Sequence, residues 1–325
     1  MPKFVQPRLL VAAIVAAGLA LAGCGRGAET TAAQQDEPKT REVKSDFGNV
    51  TIPTNPQHAL GMYTTDIDIL ITLGIPLADS QPIRGDGYTD FPKFFPQEQL
   101  DGIKTFHNYP EFNYEAILAA KPDFILNGLG YEKEVVKRLP EIAPTYSIDA
   151  FDGSDWREKF EQIATALGRR DAYQKWMDNY QKKVDAVRAR LEATKIDPVV
   201  APVTYGMNGK IVANCYGVPC LVFNDLGLRI SPLTKGPKGE GTEFSLEELE
   251  KLNGIDVAFR SAFPTKTGEL QSEAEALKDV ASNKIWKNLR FVKNGAYVPF
   301  DMEMLYGSPS GHEAFLDVVE KALLD

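Results

Sequence analysis

From Arg170 to Thr194 the chain runs 25 residues without a glycine or a proline, and this stretch constrains the fold more than any other. Trp176, Tyr180, Val184, Val187 and Leu191 recur at intervals of 4, 4, 3 and 4, which places them on one face of a 3.6-residue helix. At 1.5 Å per residue such a helix is roughly 37 Å long, enough to cross one compact body and reach a second. Short apolar strands alternate with amphipathic helices on both sides of it. The expected architecture is therefore α/β and bilobed, with largely parallel sheets in two lobes joined by one long helix. The boundaries read as an N-terminal lobe over 45–168, the connecting helix over 169–196 and a C-terminal lobe over 197–325.

In the first lobe the pattern predicts strands over 47–53, 58–62, 123–127 and 144–148, with another opening at Ile75. Helices are expected over 65–73, 113–120, 132–139 and 155–167. Beyond Pro198 it predicts strands over 199–205, 210–213, 256–260 and 296–300, and helices over 221–226, 245–252 and 312–324. The two halves echo each other. Asn113-Tyr114-Glu115-Ala116-Ile117 leads to Pro122-Asp123-Phe124-Ile125, and Ser245-Leu246-Glu247-Glu248-Leu249 leads to Gly254-Ile255-Asp256-Val257. Each reads as a cap, an acid, a short helix, a breaker and an aspartate opening a strand; Ser245 with Glu248 fits a capping box.

The N-terminus carries an address. Lys3 and Arg8 precede Leu9–Ala22, 14 residues without a polar side chain, which is short of the roughly 20 a membrane-spanning helix needs and suits a secretory signal. Leu21-Ala22-Gly23-Cys24 resembles the bacterial lipobox. That resemblance implies a signal peptide over 1–23, lipidation of Cys24 and export to the outer face of the bacterial cytoplasmic membrane. Residues 24–44, rich in Ala, Thr, Gln, Glu and Lys, read as a flexible lipid-anchored linker. In an oxidising compartment the close pair Cys215 and Cys220 reads as a local disulfide. Cleavage would remove Lys3 and Arg8 and move the formal charge from -9 to -11, the wrong sign for a nucleic-acid partner.

Enzyme chemistry finds no foothold. Gly307-Ser308-Pro309-Ser310-Gly311 has proline where a nucleophile elbow needs serine, and Gly241 is followed directly by Thr242 without the lysine of a phosphate loop. His58, His107 and His312 are the only histidines and lie on remote elements, so no resident metal or cofactor is expected. Asp66 and Asp68, two apart on a helix, do not face each other and read as solvated or capping groups.

Taken in order, Ile52-Pro53 with Asn55-Pro56, Leu73-Gly74-Ile75, Tyr88-Thr89-Asp90-Phe91-Pro92, the Asn113 to Asp123 segment, Ile142-Ala143-Pro144-Thr145, the long helix, Leu226-Gly227-Leu228, the Ser245 segment and Leu305-Tyr306-Gly307 resemble the substrate-binding lipoproteins of ABC importers for iron–siderophores and cobalamin. The resemblance covers nearly the whole mature chain. It implies a monomer with no catalytic residues that holds a ferric siderophore between its lobes, the iron being retained by the chelator. It implies permease docking through Glu115 and Glu247, although helix-dipole complementation accounts for acids at those positions as well. It places Tyr88, Tyr109, Tyr131, Met304 and Tyr306 around the cleft, where aromatic walls suit a bulky chelate. Arg84 and Arg260 are the favoured cleft cations, with Lys235, Lys238 and His107 as further candidates. So few cations favour a hydroxamate-type complex over anionic chelates. Trp156, Trp176 and Trp286 all fall on helices or their starts, which disfavours cobalamin; haem, whose iron Tyr or His can ligate, stays open. A lipid-anchored hydrolase and an envelope scaffold are the alternatives from other classes.

Overall fold

The structure, a computed structural model, describes residues 39–325 apart from 86, 110, 153–154, 207–208, 236–240, 267 and 278–279. The signal peptide, Cys24 and Lys238 lie outside the described residues. Before the long helix come β1 (Thr40–Ser45), β2 (Gly48–Pro53), β3 (Ala59–Gly61), α1 (Thr64–Thr72), β4 (Ser80–Ile83), β5 (Lys104–His107), α2 (Tyr114–Ala119), β6 (Phe124–Asn127), α3 (Lys133–Arg138), β7 (Thr145–Ser147) and α4 (Trp156–Ala166). The long helix is α5 (Arg170–Thr194). After it come β8 (Val199–Tyr205), β9 (Ile211–Ala213), α6 (Val218–Leu226), β10 (Arg229–Ile230), β11 (Thr242–Phe244), β12 (Val257–Ala262), α7 (Glu273–Ala276), α8 (Lys284–Asn288), α9 (Arg290–Lys293), β13 (Tyr297–Asp301) and α10 (Pro309–Leu324).

The strands before α5 pair only with one another, as do those after it, among the described residues. The first set holds a parallel sheet in the order β3-β6-β7, a parallel pair β4-β5 and the antiparallel hairpin β1-β2. The second forms one sheet in the order β11-β9-β8-β12-β13, with β10 beside β8. There β8, β10, β12 and β13 run parallel while β9 and β11 are antiparallel. Strand β6 is buried at every position, as a parallel strand covered on both faces must be.

The echo between the halves has a structural counterpart. Asp123 accepts the backbone N–H groups of Gln57 (2.7 Å) and His58 (2.9 Å), which lead into β3. Asp256 accepts from Val199 at 2.8 Å at the start of β8. Each aspartate ties its own strand to the entrance of the parallel neighbour, and the Val199 bond with Arg290 lowers the Asp256 pKa.

Helix α5 has the bounds expected and changes core along its length. Tyr173 packs with Phe160 and Ile163 of the first core, Trp176 touches both cores, and Tyr180, Val184, Val187 and Leu191 join Phe223 and Phe315 of the second. Each such aliphatic burial contributes roughly 1.5–3 kcal/mol, so the helix is anchored at both ends.

Three expectations change. The strand expected to open at Ile75 begins only at Ser80, Leu77 making an isolated bridge to Ala59 before it, because Pro76 has no N–H to donate to a ladder. The flexible linker was expected to reach residue 44, but Thr40–Ser45 is β1, where Val43 pairs with Val50 and both pack on the first core. One large apolar residue among Arg41, Glu42 and Lys44 is too weak a period to reveal a strand. The helix expected over 245–252 is a turn followed by a 3-10 helix, Leu249–Gly254. Leu249, Leu252 and Ile255 are fully buried at strict intervals of three, the repeat of a 3-10 helix.

Candidate functional site

Parallel strands deliver their following loops to one edge of a sheet, and the cleft is built there. Tyr63 follows β3, Arg84 follows β4, Asn108 and Tyr109 follow β5, Tyr131 follows β6 and Phe151 follows β7. The C-terminal lobe adds Tyr216 after β9 and Tyr306 after β13. These side chains line one chamber of about 220 Å³ together with Phe112, Leu129 and Glu132. Tyr109, Tyr131, Phe151 and Tyr216 stay 44–50% exposed, large apolar area that a folded chain leaves open where something is bound. Tyr131 and Phe151 meet edge to face at 5.2 Å.

Arg84 lines the chamber, with its guanidinium carbon 4.9 Å from the Tyr306 ring, 5.0 Å from Tyr109 and 5.9 Å from Tyr63. It donates to the Tyr63 hydroxyl and lies 3.7 Å from Glu303. At that distance the Coulomb attraction is on the order of 4 kcal/mol for an effective dielectric of 20, much of it offset by desolvation. Gly85 (φ +84°) lets the chain turn beside it, for a Cβ there would stand 3.1 Å from the Tyr109 carbonyl oxygen.

Behind the chamber, carboxyl groups hold the lobes together. Glu303 also accepts from the hydroxyls of Thr64 and Tyr63, and burial pushes its pKa up to about 7. Tyr88 donates to Asp301 and accepts the Glu303 N–H at 3.3 Å. Asp68 accepts both the N–H and the hydroxyl of Ser310 at 2.7 Å, capping α10 from the opposite lobe. Asp66 caps its own helix and accepts the Gly128 N–H at 3.1 Å. Both are buried, which raises Asp66 to about 7 and Asp68 to about 6; they are caps but not solvated.

Of the residues singled out in the sequence, the chamber brings together Arg84, Tyr109, Tyr131 and Tyr306. Tyr88 braces the lobes instead. Met304 packs against the second core. Arg260 is buried beneath the segment after β12, donating to the Gln271 carbonyl at 2.7 Å and lying 5.7 Å from the Tyr297 ring. Lys235 and His107 are exposed and outside the chamber, as are Glu115 and Glu247, which precede their lobes' tying aspartates by eight and nine residues. Cys215 and Cys220 are joined by a disulfide. Tyr63, Phe112, Phe151, Tyr216 and Glu303 escaped sequence reasoning. Tyr63 and Phe151 follow strand ends just as Tyr131 does, and that rule, applied throughout, would have found them. Among the described residues no cluster of His, Cys, Asp and Glu could hold a metal ion.

Residues 63–299 match the family described as periplasmic binding protein. The chain belongs to the periplasmic binding protein family. Such a protein captures a solute outside the cytoplasmic membrane for an ABC transporter and is not an enzyme. Two Bacillus subtilis (strain 168) relatives are similar along most of their length. The iron(3+)-hydroxamate-binding protein FhuD is 27% identical over 310 residues, 94% of this chain and 93% of its own. The probable siderophore-binding lipoprotein YfiY is 24% identical over 283 residues, 85% of each chain. A periplasmic solute binding protein of Mycobacterium smegmatis superposes with a TM-score of 0.68 at 19% identity, covering 88% of this binding protein and 98% of that one. This last likeness concerns the fold. Among the described residues no helix is long and apolar enough to cross a membrane.

Proposed function

We propose that this periplasmic binding protein, acting as a monomer lipidated at Cys24, holds a ferric siderophore of the hydroxamate class between its lobes and delivers it to an ABC permease. The observation that carries this reading is the charge of the chamber. Arg84 is the one basic side chain among its described lining residues, and Glu132 lines it too. Arg84 is moreover already engaged by Glu303 and Tyr63. An anionic chelate would need several converging cations to repay its desolvation, whereas a neutral one needs aromatic contact and a single donor. The name of FhuD supports the hydroxamate class, and that of YfiY supports a siderophore. The iron remains with its chelator, and the tyrosines serve as walls. Glu115 and Glu247, both exposed, are the groups we assign to permease docking.

Intrinsic fluorescence titration of the chain from residue 25 tests this. Ferric hydroxamates are expected to quench saturably at micromolar or tighter concentration, with ferric catecholates, ferric citrate, haem and cobalamin weaker. Tighter binding of any of these four would overturn the hydroxamate assignment. In cells, Glu115→Ala with Glu247→Ala is expected to abolish uptake while leaving affinity unchanged; undiminished uptake would remove the docking role.

A further inference from the structure

Glu132 is the one carboxylate among the described residues that line the Arg84 chamber. It is exposed and stands at the N-cap position of α3, yet its side chain does not cap that helix. It makes no hydrogen bond or ion pair through its carboxylate among the described residues. Arg84, the chamber's cation, is turned to Glu303 and the Tyr63 hydroxyl instead. A carboxylate left unanswered in a ligand chamber is available to the ligand.

The turn that presents Glu132 is held in place. Its N–H donates to the Leu129 carbonyl at 3.0 Å, and the Gly130 N–H donates to the Ile148 carbonyl at 2.8 Å. A Cβ at Gly130 would stand 2.4 Å from that same oxygen and 2.4 Å from the Phe47 ring. The turn after β6 is thereby fixed against the segment after β7, and Tyr131 meets Phe151 across the join. Burial raises the Tyr131 pKa, and Glu132, Tyr109, Tyr216 and Asp149 push it the same way. All four are acids, and the two carboxylates among them give this side of the chamber a field that attracts positive charge.

We infer that Glu132 and the exposed Tyr131 ring form a subsite for a protonated primary amine on the chelate, so that the preferred cargo is a cationic ferric hydroxamate. The inference rests on the siderophore reading above and adds the charge of its cargo. An ammonium group has three donors and no acceptor. It is attracted both to a carboxylate and to the face of an aromatic ring. Because Glu132 is exposed, its ion pair with the amine is screened and tightens binding at most about fivefold. The ring face adds about two- to fivefold, so the pair together gives about tenfold.

The probes are a linear ferric trihydroxamate that ends in a primary amine and the same chelate with that amine acetylated, titrated by fluorescence against the full-length chain. The amine form is expected to bind about tenfold more tightly at low salt, an advantage that shrinks at about 1 M salt. Glu132→Gln keeps the size of the side chain and removes its charge. It is expected to bring the two chelates within about twofold of each other by weakening the amine form alone. Glu132→Lys is expected to put the acetylated form ahead. Equal affinities of the two chelates for the native chain would overturn the subsite, and so would a Glu132→Gln chain that keeps the full preference. Saturable binding of neither chelate would instead sink the siderophore reading, and the subsite with it.

Discussion

Two buried arginines stand beside the ends of strands in opposite lobes, and they do different things. Arg84 is 8% exposed and Arg260 4% exposed. Arg84 faces three tyrosine rings and the Glu303 carboxylate at the cleft. Burial disfavours its charge, but Tyr63, Tyr306 and Glu303 outweigh that and its pKa stands above the ordinary value. Arg260 has the Gln271 carbonyl and one ring; its Nε and Nη1 lack partners among the described residues. There burial prevails and its pKa falls. Residue type and depth are alike. What separates them is that Arg84 pairs directly with a carboxylate and lines the chamber, whereas the pull of Tyr297 and Glu273 on Arg260 does not offset its burial.

The sharpest way to break this comparison is to remove each cation. Arg84→Met strands the Glu303 carboxylate and is expected to cost about 3–5 kcal/mol of stability in urea denaturation. Adding Glu303→Gln should restore at least half of that, and simple additivity of the two would deny the pairing. The same Arg84→Met is expected to weaken a ferric trihydroxamate by about 10–100-fold, the worth of one charged hydrogen bond. Smaller in effect is pH. Glu303 and Asp66, raised to about 7, and Asp68, raised to about 6, bind protons in the folded chain that they release in the unfolded one near pH 4. Their stabilising protonation is complete below the unfolded pKa and is lost as pH rises through the folded one. His312, pushed down to about 3 by burial, acts in the opposite sense but only below about pH 6.5. The melting temperature is therefore expected to fall between pH 6.5 and 8. Glu303→Gln should flatten that fall, and a profile unchanged by it would remove Glu303 from the account. The smallest effect belongs to Arg260→Met. It loses one hydrogen bond and sheds a poorly partnered charge, so stability should change by about 1 kcal/mol or less and affinity by less than about twofold. A large affinity loss would make Arg260 a cleft residue after all.

How much was legible varied with the kind of signal. Helix α5 was read to its ends, because a stripe without helix breakers is a local and redundant pattern. Strand β8 was read equally well, being a continuous apolar run. Strand β1 was missed, since its stability comes from β2 and the core rather than from its own residues. The 245–252 segment was read as a helix from its cap-like start. There the Ser245 hydroxyl donates to Glu248 at 3.2 Å, whereas Asn113 accepts the Ala116 N–H at 3.0 Å and opens a true α-helix. A serine hydroxyl both donates and accepts, and the letters do not say which it does.

By itself the sequence determined the two-lobed α/β plan, the connecting helix and the class of side chain that follows each strand. Those depend on periodicity and on groups close along the chain. Only the tertiary structure decided that Arg84 and not Arg260 reaches the chamber, that Tyr88 braces the lobes, and that Glu303, more than 200 residues from Thr64, sits against it. Such pairings join residues remote along the chain, and the free energy that selects them, charge desolvated against charge and ring against ring, exists only once both lobes have packed.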